Sequence, residues 1–288
     1  MFSDFLFCVF SYNRGNFLQN LLDSVTEFYP EASVAIFDDG SDDTKVKEIL
    51  KEWAGRSYIY VTDKTAPDCK HGGLYDMMNV AIEYAKDSKF SYAYFVQDDM
   101  QFLWRDEELH GKMENVFQHD NCLMCNCNFL LKIFKNDTIY ELNKIDDTGV
   151  CSFTKHGVGD TGIIDLDKAR KHNLTFPFHA ERQNGEYWFS KGFRLYWLPQ
   201  ANLAWMPWPK VYRYKTSERE KVHKLKFINS NRLEQLKLNS GYAFMEDYLT
   251  TDTFLMKPYW HGASHGRLNM IKIYTKYFLG MPLLKHDK

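Results

Sequence analysis

Apolar positions along the first hundred residues switch between two periods. Phe5 to Phe10 is an unbroken apolar run of strand length, the pattern of a strand covered on both faces. Asn13-Arg14-Gly15-Asn16 turns the chain, and Phe17, Leu18, Leu21, Leu22, Val25 and Phe28 then recur at helical spacing, with Pro30 past the helix end. Val34 to Phe37 predicts a second strand. Asp42 or Asp43 caps the next helix, whose Val46, Ile49, Leu50 and Trp53 share one face. Tyr58 to Val61 predicts a third strand, Gly72-Gly73 opens a helix carrying Leu74, Met77, Met78, Ala81, Ile82 and Ala85, and Tyr92 to Val96 predicts a fourth strand. Strands alternating with helices of this length predict right-handed βαβ units and an α/β architecture, a mainly parallel sheet flanked by helices.

Beyond residue 100 the pattern loosens. Leu109, Met113, Val116 and Phe117 predict a helix, and Cys122 to Leu131 a strand. Gly157 to Gly162 is a glycine-rich turn, Ile163 to His172 reads as the start of a helix, and Phe193 to Met206 is strand-like. After Pro209 the chain turns basic and polar, with Lys210, Arg213, Lys215 and Arg219 in quick succession. Without an internal repeat or a low-complexity linker, the expectation is one compact domain over 1–209, divided into halves at 1–105 and 106–209, and a C-terminal helical extension over 210–288.

Composition narrows the class. The 288 residues suffice for one large core or two modest ones. Aromatic residues make up 16% of the chain, so most of the rings belong to the core even if a few stack on a ligand. The net charge of −2 gives no electrostatic case for nucleic acid as a partner. No run reaches the roughly eighteen apolar residues that a spanning helix needs. Met1 to Phe10 reads as a first strand rather than a signal peptide, since it carries Asp4 and no basic flank. The six cysteines are accordingly expected as reduced thiols in the cytoplasm.

The candidate chemistry lies in two acidic strand ends about sixty residues apart, Phe37-Asp38-Asp39-Gly40-Ser41 and Phe95-Val96-Gln97-Asp98-Asp99. In an open α/β sheet, ligands sit beyond the carboxyl ends of the strands. Acidic pairs there suit a hard cation, or the hydroxyls of a sugar or nucleoside. Mg²⁺ and Mn²⁺ favour such oxygen donors together with substrate phosphates.

The order strand, Ser11-Tyr12-Asn13-Arg14, helix, strand, Asp38-Asp39-Gly40-Ser41, then strand and Gln97-Asp98-Asp99 resembles family 2-type glycosyltransferases with the GT-A (Rossmann-like) fold. The resemblance is strong over roughly residues 5–105 and weaker to about 205. It makes 1–105 the nucleotide-binding half and 106–209 the acceptor half. It implies a nucleotide-sugar donor, a glycan or lipid-linked acceptor, Mn²⁺ or Mg²⁺, inversion at the transferred carbon, and a setting in bacterial surface polysaccharide assembly. Tyr12 would stack beside the base, with Arg14 and Asp38 in the same nucleotide cradle and Asp39 accepting from base or ribose. Asp98 and Asp99 would stand at the sugar and metal. The chain has Gln97-Asp98-Asp99 rather than Asp-x-Asp, which leaves open the carboxylate that binds metal directly. His71 beside Gly72 and Gly73 would approach the phosphates, and Asp160 in the glycine-rich turn the donor sugar. His261 offers a late metal ligand. The resemblance implies that the catalytic base is an acidic residue after the acceptor loop, often in a Glu-Asp pair, and this chain has no such pair in that region. Glu181 has the better spacing to Gly192-Phe193 and Glu186 the better neighbours, so both stay open.

Plainer readings stand beside these. Asp38 and Asp39 could serve only as helix caps, Tyr12 as a core aromatic, and His71 and His261 as solvated loop and helix-start residues. Cys122, Cys125 and Cys127 invite zinc but lack a local fourth ligand, and strand alternation makes them core. The basic, aromatic stretch Met270 to Leu279 suits an anionic membrane surface, such as the inner face of a membrane carrying lipid-linked acceptors, or the surface of its own domain. Two other functions compete with the transferase. A sugar-phosphate nucleotidyltransferase shares the topology but would carry a Gly-rich, basic loop after the first strand, where this chain has Ser11-Tyr12-Asn13-Arg14-Gly15. A non-catalytic nucleotide- or carbohydrate-binding protein on the same fold would explain the missing Glu-Asp pair.

Overall fold

A computed structural model of the chain describes residues 2–63, 72–102, 104–128, 142–145, 150–198, 202–205 and 275. Strand β1 (Phe5–Ser11) is buried at every position, as its continuous apolar run requires. Helix α1 (Gly15–Phe28) packs its Phe17, Leu18, Leu21, Leu22 and Val25 stripe into the core. Strand β2 (Ser33–Asp38) follows. Helix α2 (Thr44–Trp53) begins at Asp43, whose carboxylate accepts from the Lys45 and Val46 amides at 2.8 and 3.2 Å. Of the two acidic residues that the sequence offers as its cap, Asp43 is the one used. Strand β3 (Tyr58–Val61) leaves Val61 half exposed, as an edge strand does. Helix α3 (Leu74–Lys86) and strand β4 (Tyr92–Gln97) complete the first half.

The second half adds β5 (Met100–Phe102), α4 (Leu109–Val116), β6 (Cys122–Asn126), β7 (Leu142–Lys144), β8 (Cys151–Phe153), β9 (Gly162–Asp165), α5 (Leu166–His172), α6 (Glu181–Ser190), β10 (Arg194–Trp197) and β11 (Leu203–Trp205). The main sheet has the order β3-β2-β1-β4-β9-β6-β10-β8-β7, and β5 pairs with β11 apart from it. The first four strands are parallel. The sheet then becomes mixed, because β9 runs antiparallel between β4 and β6. The chain moves from β1 through β2 to β3 on one side, then returns past β1 to place β4 on the other. Connections leaving β1 and β4 therefore diverge and open a crevice at the carboxyl edge, the switch point where α/β sheets bind ligands.

Two elements depart from the sequence expectation. The helix expected from Ile163 begins at Leu166, because Gly162–Asp165 is strand. A four-residue apolar run is ambiguous alone, and pairing on both sides with β4 and β6 decides it. Asp165 then caps α5 by accepting from the Lys168 amide at 2.9 Å. The strand-like stretch from Phe193 splits into β10 and β11, which belong to different sheets. The 210–288 extension lies outside the described residues, residue 275 excepted.

Aromatic packing under β1 and β4 fixes this frame. Phe7 lies 5.4 Å from Tyr94 and 5.7 Å from Phe102, and Tyr29 meets Phe102 edge-on at 5.2 Å. The Tyr29 hydroxyl is buried yet satisfied, accepting from Asn202 Nδ2 at 2.6 Å. Cys8, Cys122, Cys125, Cys127 and Cys151 are buried free thiols, and burial pushes the Cys122 and Cys125 thiols up. Both faces of β6 are covered, so its cysteines are core on either side. Among the described residues no group of three or more metal-ligating side chains forms.

Candidate functional site

At the end of β2 the two aspartates do different jobs. Asp38 is fully buried, and its Oδ2 accepts from the hydroxyls of Ser11 and Ser41 at 2.7 and 2.6 Å while Oδ1 accepts from the Ser41 amide at 2.7 Å. It locks the loops after β1 and β2 together from within. Asp39 turns the other way. Its Oδ2 accepts from the Gly73 amide at 2.8 Å, at the entry to α3. A Cβ at position 73 would fall onto the Asp39 carboxylate, so glycine there is a steric requirement of this contact. Neither aspartate caps α2, since Asp43 does.

Asn13, in the Ser11-Tyr12-Asn13-Arg14 motif, joins the two loops. It adopts φ +50, in the left-handed region that Asn tolerates. Its amide donates to Ser41 Oγ at 2.8 Å, and its Oδ1 accepts from the Asp42 and Asp43 amides at 2.8 and 3.1 Å. The loop after β1 is thereby fastened to the loop after β2. Only contacts between residues 28 to 30 positions apart reveal this, and local periodicity carries no trace of them.

Across the crevice, at the end of β4, Asp98 and Asp99 are each 2% exposed. Arg14 reaches them from the start of α1. Its Nη1 lies 3.1 Å from Asp98 Oδ1 and 2.8 Å from Asp99 Oδ2. The Tyr12 amide donates to Asp98 Oδ2 at 3.1 Å, and the Asp98 amide to the Phe10 carbonyl at 2.9 Å. Burial pushes the Asp98 carboxyl up to about 7; Arg14 pulls it down and neighbouring Asp99 pushes it up. Asp99 is raised for the same first reason, with Arg14 opposing. Asp99 Oδ1 is buried without a hydrogen-bond partner among the described residues, a costly state for a carboxylate oxygen. An oxygen donor set with one unsatisfied oxygen fits Mg²⁺ or Mn²⁺ shared with a ligand phosphate.

Asp160 reaches the same edge of the sheet. Gly162 pairs with Phe95 at the end of the antiparallel β4–β9 ladder, so Asp160 lies just past that end, on the side of the β4 carboxyl terminus. Beside them Thr161 Oγ1 accepts from Asn128 Nδ2 at 2.7 Å. Gly157, by contrast, serves packing. Its amide donates to the Gly185 carbonyl at 2.9 Å, and a Cβ would meet the Phe189 amide nitrogen at 2.5 Å. This part of the glycine-rich turn seats α6.

Helix α6 carries both candidate bases, and its apolar stripe is too thin to show in the sequence: Asn184, Gly185 and Trp188 are its buried positions. Glu181 and Glu186 are both exposed. Glu186 accepts from Arg182 Nε at 2.7 Å. The segment entering α6 is tied to α3, where Asn79 Nδ2 donates to the Phe176 carbonyl at 2.9 Å and the Phe176 amide returns a bond to Asn79 Oδ1 at 2.7 Å. Asn184 braces the same turn, accepting from the Phe178 amide at 3.0 Å. His179 comes within 4.0 Å of Asp76 in the first turn of α3. The amino end of α6, with Glu181, thus stands beside the helix entry that Asp39 grips. His71 and His261 lie outside the described residues.

A sheet with two acidic strand ends about its switch-point crevice defines a GT-A-type α/β fold. Residues 7–122 match the family model described as glycosyl transferase family 2. The match runs from β1 to the start of β6 and takes in both acidic strand ends. Over those residues the chain is similar to family 2 glycosyl transferases.

No curated protein matches the chain. Among solved structures, S. aureus TarS 1-349 is 17% identical over 70% of this chain and 60% of that one, with a TM-score of 0.47. The same TarS piece in complex with UDP is 16% identical with a TM-score of 0.49, at the same coverage. The mannosyltransferase PcManGT from Pyrobaculum calidifontis, in complex with GDP-Man and Mn2+, is 13% identical over 83% of this chain and 63% of that one, with a TM-score of 0.48. The chain thus spans less than two thirds of the length of each of these.

Proposed function

We propose that the protein is a metal-dependent, inverting glycosyltransferase that moves a sugar from a nucleotide-sugar donor to a glycan or lipid-linked acceptor, on the cytoplasmic side of bacterial surface polysaccharide synthesis. The observation that carries this reading is the placement of Asp39 and of the Asp98–Asp99 pair on opposite sides of the Ser11–Arg14 loop, at the switch point of the sheet. Asp39, held against the entry of α3 by Gly73, accepts from the nucleoside, and Tyr12 walls the base pocket. Asp38 acts from beneath by fixing both loops. Asp98 and Asp99 hold Mn²⁺ or Mg²⁺, which supplies charge neutralisation for the diphosphate leaving group. Asp160, in the turn before β9, faces the sugar.

The acceptor hydroxyl needs a proton acceptor on the face opposite the diphosphate. Glu181 is preferred, because its end of α6 adjoins the start of α3, where His179 approaches Asp76. A screen of UDP-, GDP-, CDP- and dTDP-sugars with and without Mn²⁺ tests the reading. One donor class should raise the melting temperature in a Mn²⁺-dependent way and release free nucleoside diphosphate on turnover. Failure of all four to stabilise the protein in Mn²⁺ would overturn it.

A further inference from the structure

Arg14 meets the acidic pair in an unusual way. An arginine facing a carboxylate commonly offers a fork of two parallel N–H groups. Here Nη1 stands between two different carboxylates, 3.1 Å from Asp98 Oδ1 and 2.8 Å from Asp99 Oδ2. A divalent ion would draw on the same two carboxylates. The guanidinium is also the outer layer. The Arg14 side chain is 27% exposed, while those of Asp98 and Asp99 are 2% and 3% exposed. An ion entering from solvent therefore meets Arg14 first. The Arg14 backbone is fixed, because its carbonyl accepts the Phe17 and Leu18 amides at 3.0 and 2.9 Å as α1 starts. Only the long side chain has to move.

Resting on the metal and donor reading above, we infer that Arg14 is an exchange cation. It neutralises Asp98 and Asp99 until a divalent ion takes its place between them, and the released guanidinium then pairs with the donor diphosphate. Charge favours this order. One guanidinium can balance one carboxylate, while a divalent ion can balance two. The displaced arginine gives up both carboxylates, and a diphosphate beside the ion offers it a new anion. Metal alone must then compete with Arg14, whereas metal and donor together need not. Their binding is cooperative, and Arg14 is the element that couples them.

Calorimetric titration of Mn²⁺ into the nucleotide-free protein tests this without reference to turnover. Arg14→Gln should bind Mn²⁺ about tenfold more tightly than wild type, within the usual range of coupling between sites. Added nucleoside diphosphate should strengthen Mn²⁺ binding in wild type and do so far less in Arg14→Gln. Equal or weaker Mn²⁺ binding by Arg14→Gln overturns the exchange. Should that variant not fold, Arg14→Lys keeps the charge on a shorter reach; its Mn²⁺ affinity should also exceed wild type, and an unchanged value counts against the proposal. Asp99→Asn separates the two levels. If it leaves Mn²⁺ binding intact, the metal assignment is wrong and the exchange falls with it. If it abolishes binding while Arg14→Gln changes nothing, the metal site stands and the exchange alone is wrong.

Discussion

Asp39 and Gly73 are joined by a 2.8 Å hydrogen bond from the glycine amide to the carboxylate, in a space where a Cβ at 73 would collide with that carboxylate. The contact ties the end of β2 to the start of α3 and fixes the direction in which Asp39 faces the crevice.

Asp39→Ala should weaken nucleoside diphosphate binding equally with and without Mn²⁺, because the residue lies across the loop from the acidic pair. Gly73→Ala should reproduce much of that loss by pushing the carboxylate aside. Calorimetry in both conditions decides: a fall confined to the Mn²⁺ titration would assign Asp39 to the other side of the crevice.

Asn13→Ala removes the acceptor for two backbone amides and leaves a Cβ residue at positive φ. Lost hydrogen bonds of this kind cost about 1–3 kcal/mol, and alanine in the left-handed region costs roughly 1–2 kcal/mol more. Asn13→Gly escapes the second cost and should lie between alanine and wild type in urea unfolding. If alanine and glycine are equally destabilised, backbone strain at position 13 contributes nothing.

The first half of the fold was legible because each element announces itself over a short window. Phe5 to Phe10 can be little else than a covered strand, and the α1 stripe repeats at 3.6 residues. The acidic strand ends were legible for the same reason, as charge placed directly after apolar runs. What the sequence hides is set by distant partners. Gly162–Asp165 becomes strand through β4 and β6, and α6 buries too few apolar residues to show a period. The Arg14 bridge to Asp98 and Asp99 joins positions about 85 apart, with nothing local in the motif to forecast it.

His156 gives a pH signature. It lies under α6, where a side chain at Gly185 would strike its Nδ1. Burial lowers its pKa from the ordinary value of 6.5, Glu186 raises it and Arg182 lowers it. Between the depressed folded value and 6.5 the unfolded chain binds more protons, so stability rises with pH in that window. His156 thus contributes its full stability above 6.5 and loses it as pH falls. His156→Phe should flatten the acid side of a melting-temperature profile between pH 7 and pH 5. An unchanged slope would place the acid sensitivity elsewhere.

The base is tested by isosteric change. Glu181→Gln keeps size and hydrogen bonding but cannot accept a proton, so turnover should fall by roughly 10²–10⁴-fold, the usual range for a lost general base. Donor affinity should hardly move, since Glu181 sits at the start of α6 rather than in the nucleotide cradle. Glu186→Gln should have a small effect on turnover, because its carboxylate is already the 2.7 Å partner of Arg182. Glu186→Gln also removes the negative charge that raises His156, so it should deepen the His156 depression, visible by NMR titration of that ring. A large turnover loss in Glu186→Gln with Glu181→Gln near wild type would exchange the two roles. Wild-type turnover in both would leave Asp160, at the same edge of the sheet, as the carboxylate to change next.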